Sequence, residues 1–173
     1  MEIQAVKKLL HQVTAINRTQ EKLNLLGGAE FNVFKILGLH TNEVRTHSAF
    51  IGELLNPRGC HGLKSRFLYL FLETLKIEDF DTEHAAVKIE KYAGPIDEHY
   101  LEGGRIDIHL KGRAGQFIFI ENKIHAGDQR NQLARYHNYE PRAKLIYLTL
   151  DGTAPSDWSA GELAPEQYTR HLS

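Results

Sequence analysis

Arg105-Ile106-Asp107-Ile108-His109-Leu110-Lys111, the turn Gly112-Arg113-Ala114-Gly115, and Phe117-Ile118-Phe119-Ile120-Glu121-Asn122-Lys123 together decide the fold. Ile106, Ile108 and Leu110 alternate with Asp107, His109 and Lys111, the period of two of a strand with one buried face. The glycines at 112 and 115 bracket hairpin-turn material. Phe117 to Ile120 is an unbroken apolar run, as a buried central strand reads, and it leads directly into Glu121-Asn122-Lys123. Residues two apart on a strand share a face, so Glu121 and Lys123 point the same way. Antiparallel pairing through the turn then brings Asp107, near the start of the first strand, close to Glu121, near the end of the second.

Two carboxylates and an ammonium at one end of a sheet have a chemical consequence. Adjacent carboxylates raise each other's pKa, and a hard divalent cation relieves that repulsion. Mg2+, or Mn2+ in its place, suits two oxygen ligands, keeps waters of its own and binds phosphate. Metal-bound water attacks a phosphodiester, and the lysine orients that water or neutralises charge in the transition state. Taken singly, an Asp in a strand or a Glu-x-Lys pair reads as ordinary surface charge. It is the combination across one hairpin that points to catalysis. No serine or cysteine nucleophile with a base is apparent.

Outward from the hairpin, the chain reads as helices before it and a crossover after it. Ile3, Val6, Leu9, Leu10, Val13 and Ile16 follow the spacing of one helical face, with Gly27-Gly28 as a stop. Phe31, Phe34, Leu37 and Leu39 suit a short helical turn. A helix with Thr41 as N-cap carries Val44, Phe50, Ile51, Leu54 and Leu55 and stops at Asn56-Pro57, and another spans Leu63 to Leu75. Val87 to Tyr92 alternates as a strand. Asp128 to Tyr139 reads as a helix closed by Pro141, and Leu145 to Leu150 as a further strand. The organisation expected is an N-terminal helical segment over 1–40 and one α/β domain over 41–150, with helices in 41–80 and the sheet and crossover helix in 85–150. Residues 151–173, with turn signals and little apolar pattern, read as a tail or the start of a further part.

Composition sets the outer limits. The 173 residues are 42% hydrophobic and 25% charged with a net charge of −1, which is ordinary globular composition. A single cysteine, Cys60, excludes a disulfide framework and a cysteine-rich zinc site. The sequence contains no apolar run of the roughly 20 residues that span a bilayer and no signal-peptide pattern, so the expectation is a cytoplasmic protein without a membrane partner. Charge is uneven along the chain. Glu73 to Glu102 holds nine acidic residues against three lysines, and Lys111 to Lys144 seven basic residues against three acidic ones. A local basic surface of that kind suits a phosphate backbone, with Arg105, Arg130 and Arg135 as the candidate contacts.

Gly104-Arg105-Ile106-Asp107 followed by Ile118-Phe119-Ile120-Glu121-Asn122-Lys123 resembles the D…(D/E)-x-K signature of the PD-(D/E)XK nuclease superfamily. Gln132-Leu133-Ala134-Arg135-Tyr136 is similar to the Q-x-x-x-Y helix motif of one branch. Glu43, His47-Ser48, Asn56-Pro57 and His61-Gly62 resemble the N-terminal helical region of a bacterial subgroup. The resemblance covers roughly Glu43 to Leu150. It implies a restriction-endonuclease-like αβββαβ core, an α/β fold with a mixed sheet, behind the N-terminal helices. It also implies that Asp107 and Glu121 hold the metal, with the Asn122 backbone carbonyl as a further ligand, and that Lys123 is the catalytic lysine. Gln132 and Tyr136 would help position the lysine or the substrate, and Glu43 and His47 are the candidates for an additional ligand from the first core helix. The sequence departs from the pattern in lacking a proline before Asp107 and in carrying Asn at 122. The function expected is metal-dependent hydrolysis of nucleic acid, DNA before RNA, in restriction, repair or phage defence, by a homodimer or as part of a larger complex. The competing expectation is an inactive nuclease-fold module that binds nucleic acid or protein.

Overall fold

The computed structural model of the chain describes residues 2–26, 36, 38, 39 and 43–172. The chain divides into two compact units, Met1–His40 and Thr41–Ser173. The first contains α1 (Glu2–Leu26), which carries the predicted apolar spacing from Val6 to Ile16. Gly27-Gly28, Phe31, Phe34, Leu37 and the expected N-cap Thr41 lie outside the described residues.

In the second unit a π-helical turn, Glu43–Ser48, runs into α2 (Ala49–Leu55). Asn56 ends it in an extended conformation, as the residue before a proline must. Then come α3 (Arg66–Thr74), β1 (Ala86–Tyr92), β2 (Arg105–Lys111), β3 (Phe117–Lys123), α4 (Gln132–Tyr139), β4 (Lys144–Thr149), α5 (Asp157–Ala160) and β5 (Tyr168–Leu172). The five strands lie in sequence order in one sheet. β1, β2 and β3 pair antiparallel, while β4 runs parallel to β3 and β5 parallel to β4. The α4 crossover explains the parallel step, because parallel neighbours cannot be joined by a tight turn.

Both faces of the sheet are covered. Leu55 of α2 and Leu68 and Leu72 of α3 pack with Ile108, Leu110, Ile118, Ile120, Ile146 and Leu148. Leu133 and Tyr136 of α4 pack with Ile106, Phe119, Leu145 and Tyr147 on the other face. Strands β3 and β4 bury both sides, which accounts for their unbroken apolar runs.

The alternation read for β2 fails at one place. Ile108 and Leu110 face α2 and α3, whereas Ile106 packs with α4 on the opposite side. The β2–β3 ladder ends at Ile108–Ile120. Beyond it, Asp107 Oδ2 accepts the Asn122 N–H at 2.9 Å, a side chain standing where a strand carbonyl would. The β1–β2 ladder steps from Ile89–Ile108 to Lys91–Ile106, and Glu90, at the skipped level, has φ +53°. Both strands therefore break step at the level of Asp107. That is where the sheet opens.

Two other boundaries differ from expectation. Helix α4 begins at Gln132 and not at Asp128, because Asn131 adopts φ 52° and the Asp128 carboxylate accepts bonds from Tyr147 OH (2.6 Å) and Ser156 N (2.9 Å). Residues 151–173 are not a bare tail: they supply α5 and the fifth strand. No described helix is long and apolar enough to cross a membrane. Truncation after Leu150 would uncover the edge of β4, whose residues from Leu145 to Thr149 are all buried. The expected result is a melting temperature lower by roughly 10 °C or more, or loss of a cooperative transition, read by circular dichroism.

Candidate active site

The break in the sheet opens onto a cavity of about 500 Å3 lined by Asp107, Glu121, Lys123, Gln132, Arg105 and Glu90, among others. Its outer wall is the loop between β1 and β2. That loop is closed at its base by Gly104 N–H to Gly94 O (2.9 Å) and Ala93 N–H to Gly104 O (3.0 Å). Gly103, at φ +80°, packs directly on the Pro95 carbonyl, where a Cβ would collide with backbone.

Inside the cavity, Glu121 is 1% exposed. Its Oε1 is 2.8 Å from Lys123 Nζ, and its Oε2 is 2.6 Å from Tyr136 Oη. Lys123 Nζ also donates to Gln132 Oε1 (3.1 Å) and Gly127 O (3.3 Å), so its three donors meet three oxygens. Gln132 Nε2 donates to Tyr136 Oη at 3.4 Å, as residues four apart on a helix can. Tyr136 Oη lies 2.5 Å from the Arg105 carbonyl as well. The single phenol proton is shared between these two acceptors, Glu121 Oε2 and the Arg105 carbonyl. Burial pushes the Glu121 pKa up, against the pull of Lys123 and Tyr136. Burial, and then the Glu121 charge, raise the Tyr136 pKa well above its usual value.

Asp107 is half-buried. Burial first, then the neighbouring Glu121, push its pKa to about 8, although the Asn122 N–H opposes the rise. Glu90 adds to that rise. Sequence reading did not single out Glu90, yet the strand register places it across from Asp107, and that register was the available signal. The Asn122 side chain points the other way, its Nδ2 donating to Ser48 Oγ at 3.1 Å, which ties the π-helical turn to β3.

The structure thus brings together Asp107, Glu121, Lys123, Gln132, Tyr136 and Arg105. It separates others. His47 is half-buried on the π-helical turn and is not among the described residues lining the cavity; the Glu43 side chain lies outside the described residues. Arg135 is 2% exposed and is no surface phosphate contact: its position between Gln132 and Tyr136 turns it inward. There NH1 donates to Arg130 O (2.8 Å) and NH2 to Gln129 Oε1 (3.1 Å), bracing the loop ahead of α4. Arg130 is exposed beside that loop.

No group of three His, Cys, Asp or Glu side chains placed to hold a metal occurs among the described residues. Three carboxylates line the cavity, Glu90, Asp107 and Glu121, and burial raises the pKa of the last two. The pair Asp107 and Glu121 fits Mg2+, which takes one or two carboxylates and completes its shell with water and phosphate. A family model of the PD-(D/E)XK nuclease superfamily matches residues 31–171, and the chain belongs to that superfamily. No curated protein and no solved structure matches the chain. Membership carries a nuclease-type function and the divalent-metal chemistry general to such enzymes.

The raised Asp107 pKa has a consequence for stability. An unfolded aspartate titrates near 3.9, and the folded group near 8. The folded state binds the proton more tightly, so this group's contribution is greatest below the unfolded pKa and is lost as pH rises from about 4 to about 8. In chelator, Asp107→Asn should melt a few degrees above wild type at pH 8, with a smaller gap at pH 5, since each ~1 kcal/mol moves a domain of this size by about 2–4 °C. A gap that did not change with pH would contradict the assignment.

Proposed function

We propose that the protein hydrolyses phosphodiester bonds in DNA with Mg2+ or Mn2+ as cofactor, in restriction, repair or phage defence. The observation that carries this reading is the convergence of Asp107, Glu121 and Lys123 in one cavity, inside a chain of the nuclease superfamily. Asp107 and Glu121 would hold the metal, with the Asn122 backbone carbonyl as a further ligand. When bound, the metal supplies Lewis-acid activation of water and stabilises charge on the phosphate.

The chain's own residues do the rest. The Asn122 N–H fixes one Asp107 oxygen, so the carboxylate is oriented before any ligand arrives. Lys123 is held by Gln132 and Gly127 as well as by Glu121. Its ammonium therefore keeps its place when Glu121 is engaged elsewhere, and can hold a water or a phosphoryl oxygen in line. Tyr136 fixes the far oxygen of Glu121 and ties it to the β2 backbone through the Arg105 carbonyl. Arg105, exposed at the rim, offers a phosphate contact.

Purified protein with Mg2+ or Mn2+ should degrade DNA, and Lys123→Ala should lower the rate about 100-fold or more, the scale of removing one transition-state donor, with an unchanged circular dichroism spectrum. Wild type inert on single- and double-stranded DNA and on RNA, with both metals, would overturn the reading. Tyr136→Phe should act more mildly, because it orients Glu121 without touching substrate. The expected outcome is weaker Mn2+ binding with the fold retained, read by calorimetry.

A further inference from the structure

Beside the cavity lies a cluster that the chemistry above leaves unused. The Arg130 guanidinium carbon is 4.9 Å from the ring centre of Tyr100 and 5.6 Å from that of Trp158. Trp158 is the sole tryptophan of the chain, and it is 59% exposed, unusual for a residue that is normally well buried. Tyr100 is 38% exposed. Among the described residues no carboxylate forms an ion pair with Arg130.

The exposure does not come from loose attachment. Asn131 N–H donates to Trp158 O at 2.7 Å, and Ser156 Oγ donates to Asp128 Oδ2 at 2.6 Å. Arg135 holds the Arg130 carbonyl. On the Tyr100 side, Asp97 Oδ1 accepts the N–H groups of Leu101 and Glu102 at 2.7 Å each, and Asn138 Nδ2 donates to Leu101 O at 2.8 Å. Tyr100 itself has φ +60°, a left-handed conformation that this bracing maintains. Two exposed aromatic rings, each with one face toward the Arg130 guanidinium, are thus held on fixed backbone.

The cluster also adjoins the cavity along the chain. Arg130 follows Gln129, a cavity-wall residue, and Tyr100 sits in the loop whose two ends, Gly94–Ile96 and Gly104–Arg105, line it. We propose that Trp158, Arg130 and Tyr100 form a stacking platform for unpaired bases, so that the site receives its strand as single-stranded nucleic acid or as a frayed end. Exposed aromatic rings stack any unpaired base, which a paired helix with its bases stacked inside does not offer, and arginine adds a cation–π or phosphate contact. This rests on the nuclease reading and adds the form of the substrate.

The test uses the full chain in chelator, so that binding is seen without cleavage. A mixed-sequence single-stranded DNA of about 12 nucleotides should quench Trp158 emission, whereas the blunt duplex of that strand with its complement should bind at least roughly tenfold more weakly. With a labelled strand followed by anisotropy, Trp158→Ala should raise Kd about tenfold and Trp158→Phe should recover most of the loss. Cleavage with metal, but unaltered Trp158 emission and an unaltered Kd for Trp158→Ala, would overturn the platform and leave the nuclease standing. Equal binding of duplex and single strand would overturn it too. Neither binding nor cleavage of any nucleic acid would remove both.

Discussion

The structure depends on the burial of one carboxylate, Glu121, against the end of a sheet. At 1% exposure it must be paired or protonated, since an isolated buried charge costs far more than a fold's net stability allows. Lys123 takes one oxygen and Tyr136 the other. Gln132 then holds both of those partners, and the Arg105 carbonyl receives the tyrosine. Four elements of site geometry are fixed through a single side chain: the end of β3, the face of α4, the start of β2 and the loop that carries Gly127. A network of this kind is either fully satisfied or destabilising. Here Lys123 and Tyr136 satisfy the two oxygens, and Gln132 satisfies both of those partners.

A second constraint follows from the first. The β2–β3 ladder ends just before Asp107 and Glu121 would pair, and the Asp107 side chain accepts the Asn122 N–H instead. The same level is disturbed in β1 at Glu90. The result is a wedge where the sheet opens into the cavity, closed on its outer side by the Gly94–Gly104 loop base. Repulsion between the two carboxylates remains, and with burial it leaves Asp107 with a pKa near 8. Burial and repulsion make this end of the sheet locally costly, the usual relation between strain and function.

Much of this was legible in the residues. The two-residue period of Arg105–Lys111 and the apolar run before Glu121 specify strands by the burial they require, and Glu121-x-Lys123 on one face follows from the pleat alone. Gln132 and Tyr136 were legible as neighbours on one helical face, but their meeting with Lys123 and Glu121 depends on how α4 crosses the sheet. What local pattern could not show were tertiary events. Ile106 changes faces because a side chain replaces a ladder bond. Arg135 looks like surface charge until α4 is docked, when the face it shares with Gln132 and Tyr136 turns inward. The strand Tyr168–Leu172 has little apolar period of its own and is defined by pairing with β4. Glu90 became visible only with the β1–β2 register.

The central claim is that Asp107 and Glu121 form one divalent-cation site with Lys123 at its side. Crystals grown or soaked with Mn2+ test it by anomalous scattering. The account predicts one strong peak within about 2.0–2.4 Å of an oxygen of each carboxylate, with Lys123 Nζ still bonded to Gln132 Oε1, and no such peak in Asp107→Asn. Absence of a peak in wild type at saturating Mn2+, or a peak that ignores both carboxylates, would contradict it.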